Sequence, residues 1–179
     1  MNKKIDISKT IIKTERLILR PWEYTDLQDF NEYASVDGVG QMAGWLPHKN
    51  LEESKNILKM FIDEKKTFAI EYNGKVIGSV GIEEYDENQL PEFNNQYGRE
   101  LGYVLSKDYW GKGLMPEAVK AVIDYLFNEI KLDFIICCHF INNVQSKRVQ
   151  EKCGFKHYKL IKETRYNIAK DSWVSLLNR

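Results

Sequence analysis

The amino-acid sequence predicts an α+β fold, in which about seven strands form one mixed sheet flanked by about four helices. Three observations predict this fold. Asn73–Gly74 separates two β-rich segments, the strongest short signal for an antiparallel hairpin. Later, short apolar runs alternate with longer runs whose apolar residues recur about every 3.6 residues, the pattern of strands joined by crossover helices. A chain of 179 residues, 43% hydrophobic and without a low-complexity linker, can bury one core, so residues 1–179 are interpreted as a single domain.

Polar caps predict the helix starts in the N-terminal half. Thr25 with Gln28 matches a capping box, and Asn50 with Glu53 repeats that pattern before a second helix with a narrow apolar stripe. Both helices therefore precede the hairpin. The strands predicted in this half are 16–20, 67–72 and 75–82, residues 35–50 are predicted to be a binding loop, and 83–98 an exposed connection.

The C-terminal half is predicted to alternate strands and helices and to end in two strands. A strand at 101–105 runs into a loop with Gly111 and Gly113, and the next helix begins with Pro116 and Glu117, which suit a first turn. The remaining predicted elements are a strand at 132–140, a helix from Asn142 or Asn143 to Lys152 with Gly154 beyond it, and strands at 155–160 and 173–177, an extension of the first to Tyr166 being left open.

The strand, glycine loop and helix between 101 and 130 have the composition of an anion-binding site. Glycine permits close approach and positive φ, so successive N–H groups can converge on one point, and the helix start adds a partial positive charge. Two common phosphate-binding motifs are excluded by the spacing. Lys112 alone separates the glycines, where a nucleotide P-loop has four residues, and Pro116 stands where a dinucleotide fingerprint has its third glycine.

Several blocks of the sequence resemble one known family. Residues 108–113, D-Y-W-G-K-G, are similar to the acyl-CoA pyrophosphate loop of the GNAT N-acetyltransferases, although Asp108 stands where that pattern has Gln or Arg. The longer run 109–118 and the blocks N-V-Q-S at 143–146 and E-K-C-G-F at 151–155 resemble the RimJ/RimL-like branch, which acetylates N-termini of ribosomal proteins. With T-E-R-L-I-L-R-P-W near the start, the resemblance covers nearly the whole chain.

The resemblance implies acetyl-CoA as co-substrate and a mostly antiparallel sheet that splays in the middle, leaving a slot for pantetheine. Main-chain groups of one strand are expected to bond the pantetheine amides, and those of the glycine loop and first helical turn to bind the pyrophosphate. Trp110 either packs the loop or stacks on the ligand. The residues expected to bind the coenzyme are Tyr103, Val104, Leu105, Trp110, Gly111, Lys112, Gly113, Leu114, Met115, Asn143 and Ser146.

Acetyl transfer to an amine requires a base and donors for the oxyanion. Glu100 begins the strand that feeds the glycine loop and is the expected base, with Glu83 and Glu84 in reserve. The alternative for Glu100 is a solvated glutamate at a strand edge. The oxyanion donor is expected to be the main-chain N–H of Val104 or Leu105, because splaying leaves such groups without a partner strand.

The departing thiolate also needs a partner. Many GNAT enzymes use a tyrosine four positions beyond the place of Ser146, but that position here is Gln150. Ser146 is therefore the expected donor to the sulfur, and its alternative role is to satisfy a backbone group at the helix start. Asn143 has the same two alternatives, coenzyme contact or helix cap.

Three functions fit these observations. The first is an acetyl-CoA-dependent N-acetyltransferase that acts on a primary amine, such as a protein N-terminus, by direct transfer in a ternary complex. The second is a small-molecule acetyltransferase for a polyamine or antibiotic, which the acidic run 83–87 would suit. The third is a non-catalytic acyl-CoA sensor, consistent with the departures at Asp108 and Gln150. The residues expected to border the acceptor are Met42, Trp45 and Tyr85.

The composition of the chain argues against some classes of binding partner and predicts a cellular compartment. A formal charge of zero argues against a general nucleic-acid or anionic-membrane binder. The chain has no apolar run near the ~18 residues of a membrane span and no signal-peptide pattern at its start, which predicts a cytoplasmic protein. Adjacent Cys137 and Cys138 would point to opposite faces of a strand, and no metal is predicted. Dimers are common in the resembled branch, so a homodimer is admitted.

Overall fold

A computed structural model of the protein describes residues 1–165 and 168–179, with the side chains of 163–165 and 168–170 left undescribed. In this part of the chain four α-helices accompany one eight-stranded sheet of order β1-β2-β3-β4-β5-β6-β8-β7. The elements are β1 (Ile12–Lys13), β2 (Ile18–Pro21), α1 (Leu27–Ala34), α2 (Leu51–Glu64), β3 (Thr67–Tyr72), β4 (Lys75–Glu83), β5 (Gly98–Leu105), α3 (Leu114–Asn128), β6 (Phe134–Phe140), α4 (Val144–Lys152), β7 (Lys156–Arg165) and β8 (Ile168–Asn178).

The predicted α+β fold is confirmed, with one short strand more than the sequence pattern indicated. Asn73 and Gly74 both have positive φ, 51° and 78°, as a two-residue hairpin turn between β3 and β4 requires. Asn50 caps α2 by accepting a hydrogen bond from the Glu53 N–H at 2.9 Å. The extension to Tyr166 that the sequence left open lies outside the described residues.

The start of α1 differs from the prediction. Thr25 is not the cap, because a 3₁₀ turn at Tyr24–Asp26 precedes the helix and Asp26 accepts from the Glu23 N–H at 2.8 Å. Asp26 is buried, and its two carboxylate oxygens each accept from Arg20 at 2.8 Å. This bidentate ion pair fixes the turn to β2, which a purely local capping pattern does not capture.

The sheet opens between β5 and β6. These strands are parallel, and their pairing runs only from Gly98 with Phe134 to Glu100 with Ile136. Beyond Glu100, β5 stays paired with β4 as far as Leu105, while β6 stays paired with β8 as far as Phe140. Every other pairing of neighbouring strands is antiparallel. Two strand edges therefore diverge from a common apex, as the resemblance implied.

Three clusters of buried side chains surround this opening. Helices α3 and α4 cover one face of the sheet, and α1 and α2 cover the other. The third cluster corrects a prediction, since residues 83–98 are not wholly an exposed connection. Tyr85, Leu90 and Phe93 are buried against Phe134 and Ile136, and the Phe93 and Phe134 ring centroids are 4.4 Å apart. This segment closes the sheet face below β6.

Candidate active site

A cavity of about 690 Å³ occupies the opening between β5 and β6 and continues across β4 toward the loop before α2. It is bordered by the glycine loop, the start of α4 and residues 39–45. The charged residues in its described lining are Glu83, Glu100, Arg148 and Lys152. One continuous space thus connects the predicted coenzyme loop with the predicted acceptor loop.

The glycine loop at the mouth of the cavity has the geometry of an anion cradle. Gly111 and Gly113 each have φ of 76°, and Gly113 is the residue before α3. The side chains of Leu114 and Met115 are buried in the core, so only their main chains face the loop. First-turn N–H groups lack partners inside their helix and can donate to an anion. The loop therefore fits a diphosphate held by main-chain amides.

Contacts from three directions hold this loop in place. Arg16 donates to the Lys112 carbonyl at 3.0 Å and forms an ion pair with Glu117 at 2.7 Å. The Trp110 indole N–H donates to the Leu105 carbonyl at 2.8 Å. Trp110 therefore packs against the loop. Within the loop, the Lys112 side chain donates to the Asp108 carbonyl at 2.8 Å. The sequence analysis did not predict that Arg16 supports this loop. The only indication was its place in the T-E-R-L-I-L-R-P-W block that resembles the family.

Strand register decides which main-chain groups of β5 face the opening. Ser106 N–H donates to the Ile77 carbonyl, and hydrogen bonds alternate along an antiparallel pair. Val104 therefore exchanges hydrogen bonds with Ser79 of β4, while Tyr103 and Leu105 direct their main-chain groups toward β6. Val104 was expected to offer its main-chain N–H to the oxyanion. Its side chain lines the cavity, but its amide faces β4 and not the opening.

Glu100 lies at the apex, at the last residue pair joining β5 to β6. It is half-buried, lines the cavity and stands opposite Glu83 of β4. Glu83 also lines the cavity and forms an ion pair with Lys66 at 2.7 Å. Glu84 instead points away and pairs with Arg99. Of the three glutamates proposed as a base, Glu83 and Glu100 therefore reach the cavity.

A buried polar network crosses the opening on the α4 side. The Tyr103 hydroxyl is 2.8 Å from Ser146 Oγ and 3.1 Å from the Ser146 carbonyl. Gln150 is buried, donates to Cys137 Sγ at 3.1 Å and contacts His139 Nδ1 through Oε1 at 2.8 Å. Burial raises the pKa values of Tyr103 and Cys137 and lowers that of His139, which favours the neutral form of each group.

Asn143 connects the coenzyme side of the cavity with the acceptor loop. Its Oδ1 accepts from the Ser146 N–H at 3.0 Å, so it caps α4, and its Nδ2 donates to the Met42 carbonyl at 3.1 Å. Met42 and Trp45, two of the residues predicted to border the acceptor, line the cavity. Tyr85 is a correction: it is 2% exposed, packs on Phe134 and lies outside the cavity lining.

The floor of the acceptor side has an unusual lack of side chains. Gly81 of β4 and Gly102 of β5 are directly paired, and both line the cavity. A Cβ atom built on Gly102 would meet no atom within 4 Å. Glu83 and Glu100 are paired two residues further along the same strands, so their side chains lie on the same sheet face as the two glycine positions. The two glycines thus form a trough that leads to the carboxylates.

Two further findings concern the described residues alone. Among residues 1–165 and 168–179, no helix is long and apolar enough to span a membrane. Within the same ranges no group of three His, Cys, Asp or Glu side chains is placed to hold a metal ion. Cys137 is buried against α3 and α4 whereas Cys138 packs against the third cluster, so the two thiols face opposite sides of β6.

Comparison with known proteins agrees with this geometry. The uncharacterized N-acetyltransferase p20 of Bacillus licheniformis is 27% identical over 157 residues, 84% of each chain. The putative ribosomal N-acetyltransferase YdaF of Bacillus subtilis (strain 168) is 30% identical over 84 residues, 47% of this chain and 42% of that protein. A GNAT-family acetyltransferase from Bacillus anthracis superposes with a TM-score of 0.81 at 25% identity, covering 94% of this chain and 98% of that chain. A family model described as an acetyltransferase (GNAT) domain matches residues 16–156, and the chain therefore belongs to the GNAT acetyltransferase family.

Proposed function

We propose that this acetyl-CoA-dependent N-acetyltransferase acts on the α-amino group of a protein or peptide. The charge and apolar surface of the acceptor side support this acceptor. Only Glu83 and Glu100 supply carboxylates to the described lining, and Glu83 forms an ion pair with Lys66. A polyamine carries several positive charges and would gain little from a lining with so few carboxylates.

An exposed apolar rim favours a peptide over a small cation. Four apolar side chains beside the cavity are more than one third exposed: Val36, Met42 and Leu46 on the loop, and Leu51 at the first residue of α2. Such a concentration of exposed apolar side chains is typical of a surface that binds another chain. The residues that follow an acceptor's first amine would lie over this rim. The relative YdaF is a putative ribosomal N-acetyltransferase, which supports the same acceptor class.

In this proposal each wall of the cavity has one task. Main-chain amides of the glycine loop and the first turn of α3 hold the diphosphate, and main-chain groups of Tyr103 hold pantetheine. Glu100 removes a proton from the ammonium form of the acceptor, directly or through water. The Leu105 N–H is the oxyanion donor, since the strand register directs it toward the opening. Substrates held in line in this way react by direct transfer.

An acceptor panel tests the proposal. Thiol release from acetyl-CoA is measured with short peptides of varied first residue, with the same peptides N-terminally blocked but containing lysine, and with di- and triamines. We expect kcat/KM at least tenfold higher for free α-amines than for the other two groups, and mass spectrometry should place the acetyl group on the α-nitrogen. Preference for a di- or triamine, or for the lysine side chain, would overturn the proposed acceptor.

Filling the glycine trough should block the acceptor alone. Gly102→Leu directs a side chain into the trough from a position where the Cβ itself meets no atom within 4 Å. We expect the KM for the acceptor to rise at least tenfold, whereas the Kd for CoA and the midpoint of urea unfolding stay at wild-type values. Gly102→Ala, which adds one carbon, should cause a much smaller rise. A loss of CoA affinity equal to the loss of acceptor affinity would contradict this position of the trough.

A further inference from the structure

The Tyr103 side chain spans the opening in which the thioester must lie. It leaves β5 on the α4 side and reaches across to Ser146, beside Cys137 of β6. The residue lines the cavity and is half-buried. A thioester threaded between the two strands therefore passes next to this hydroxyl. Sequence reasoning had given Tyr103 a main-chain role only.

One consistent set of donors and acceptors connects the groups around Tyr103. Gln150 Oε1 is an acceptor, so His139 carries its proton on Nδ1 and donates to it at 2.8 Å. The Gln150 amide nitrogen then donates to Cys137 Sγ, and at a longer 3.4 Å to Ser146 Oγ. Ser146 Oγ, having accepted this bond, can donate its own proton to the Tyr103 oxygen at 2.8 Å. The phenolic proton is left to point elsewhere, and in this structure it is directed to the Ser146 carbonyl at 3.1 Å.

Of the donors on this wall, Tyr103 is the best suited to protonate a leaving group. A phenol, with an ordinary pKa of about 10, is far more acidic than the aliphatic hydroxyl of Ser146. His139 has its Nδ1 proton committed to Gln150, and its Nε2 has no partner among the described residues. The Cys137 thiol is fully buried and accepts from Gln150. Burial also raises the pKa of Tyr103, which keeps the phenol protonated before transfer.

We propose that Tyr103 is the proton donor to the departing CoA thiolate and that Ser146 and Gln150 position it. As the acceptor nitrogen bonds to the acetyl carbon, the carbon–sulfur bond breaks and its electron pair passes to sulfur. Sulfur takes the phenolic proton, and CoA leaves as a thiol. The phenolate receives the Ser146 hydrogen bond and regains a proton from solvent, while the proton lost by the acceptor nitrogen leaves through the base. The proposal rests on acetyl transfer in this cavity but not on the identity of the acceptor.

Tyr103→Phe removes the hydroxyl and keeps the ring. We expect kcat to fall about 100-fold, the range of general-acid catalysis, with the KM for acetyl-CoA and the calorimetric Kd for CoA within threefold of wild type. The matched control is Tyr125→Phe, because Tyr125 is also half-buried, hydrogen-bonds Thr10 through its hydroxyl and lies outside the cavity. This control should keep wild-type kcat.

Separate measurements distinguish donation from a structural role. If the hydroxyl only holds α4 in place, Tyr103→Phe should raise the Kd for CoA and lower the unfolding midpoint while kcat changes little. A kcat within threefold of wild type, or a fall in kcat matched by the loss of CoA affinity, would overturn the proposal. Each variant is compared with wild type on whichever amine the wild type acetylates fastest. An error in the proposed acceptor class would therefore show in the wild-type panel. The ratio of wild-type kcat to Tyr103→Phe kcat could still be measured on the preferred amine.

Discussion

Gly113→Val should weaken acetyl-CoA binding about 100-fold. Gly113 has φ of 76° and ψ of 6°, a left-handed conformation that costs a non-glycine residue about 1–2 kcal/mol and a β-branched residue more. A Cβ at this position would approach only Arg16 Nη2, at 3.6 Å, so the obstacle is the backbone and not packing. Relaxing φ turns the neighbouring amides away from the diphosphate, and hydrogen bonds to charged groups contribute about 1.5–3 kcal/mol each.

Gly74→Val is the matched control for this experiment. Gly74 has φ of 78°, and no atom lies within 4 Å of a Cβ built there, but it belongs to the β3–β4 turn outside the cavity. Both variants should lower the urea midpoint by similar amounts, because both place valine where the native backbone is left-handed. Only Gly113→Val should change the Kd for CoA in calorimetry. Equal Kd values for the two variants would refute a main-chain diphosphate site at this loop.

Local sequence signals predicted the parts of the fold that local interactions determine. Asn73–Gly74, the Asn50 cap and the two loop glycines each adopt the conformation that their residue types favour. Thr25 failed as a cap because the competing turn is fixed by the ion pair between Asp26 and Arg20 of β2. The burial of Tyr85 and Phe93 was missed for a related reason, since an irregular segment has no periodicity to reveal its buried side.

The candidate site divides in the same way. The glycine loop is continuous in sequence and could be recognised, whereas the Tyr103–Ser146 contact joins residues 43 positions apart. Whether the amide of Val104 or Leu105 faces the opening depends on strand register, which shifts with a single residue and which no pattern within 101–105 reveals. Arg16 was overlooked because its partners, the Lys112 carbonyl and Glu117, lie about 100 residues away.

Glu100→Gln should impair turnover strongly at low pH and weakly at high pH. An α-amino group has a pKa of about 7.7–8.0, so roughly 5% of it is free at pH 6.5 and over 90% at pH 9. With Glu100 present, the ammonium form can be deprotonated in the site. Without it, only acceptor that arrives already neutral can react. The wild-type to variant ratio of kcat/KM for the acceptor should therefore be about 100 at pH 6.5 and below 10 at pH 9.

Two further glutamine variants assign the base among the neighbouring carboxylates. Glu84→Gln is the control, because Glu84 pairs with Arg99 and lies outside the cavity, so its pH profile should match wild type. Glu83→Gln tests the carboxylate that lies opposite Glu100. In the structure Glu83 forms an ion pair with Lys66. A steep loss at low pH in Glu83→Gln but not in Glu100→Gln would move the base to β4. Parallel profiles for Glu100→Gln and wild type, displaced by a constant factor, would make Glu100 a structural residue at the apex, since a packing defect does not follow the ionisation of the acceptor.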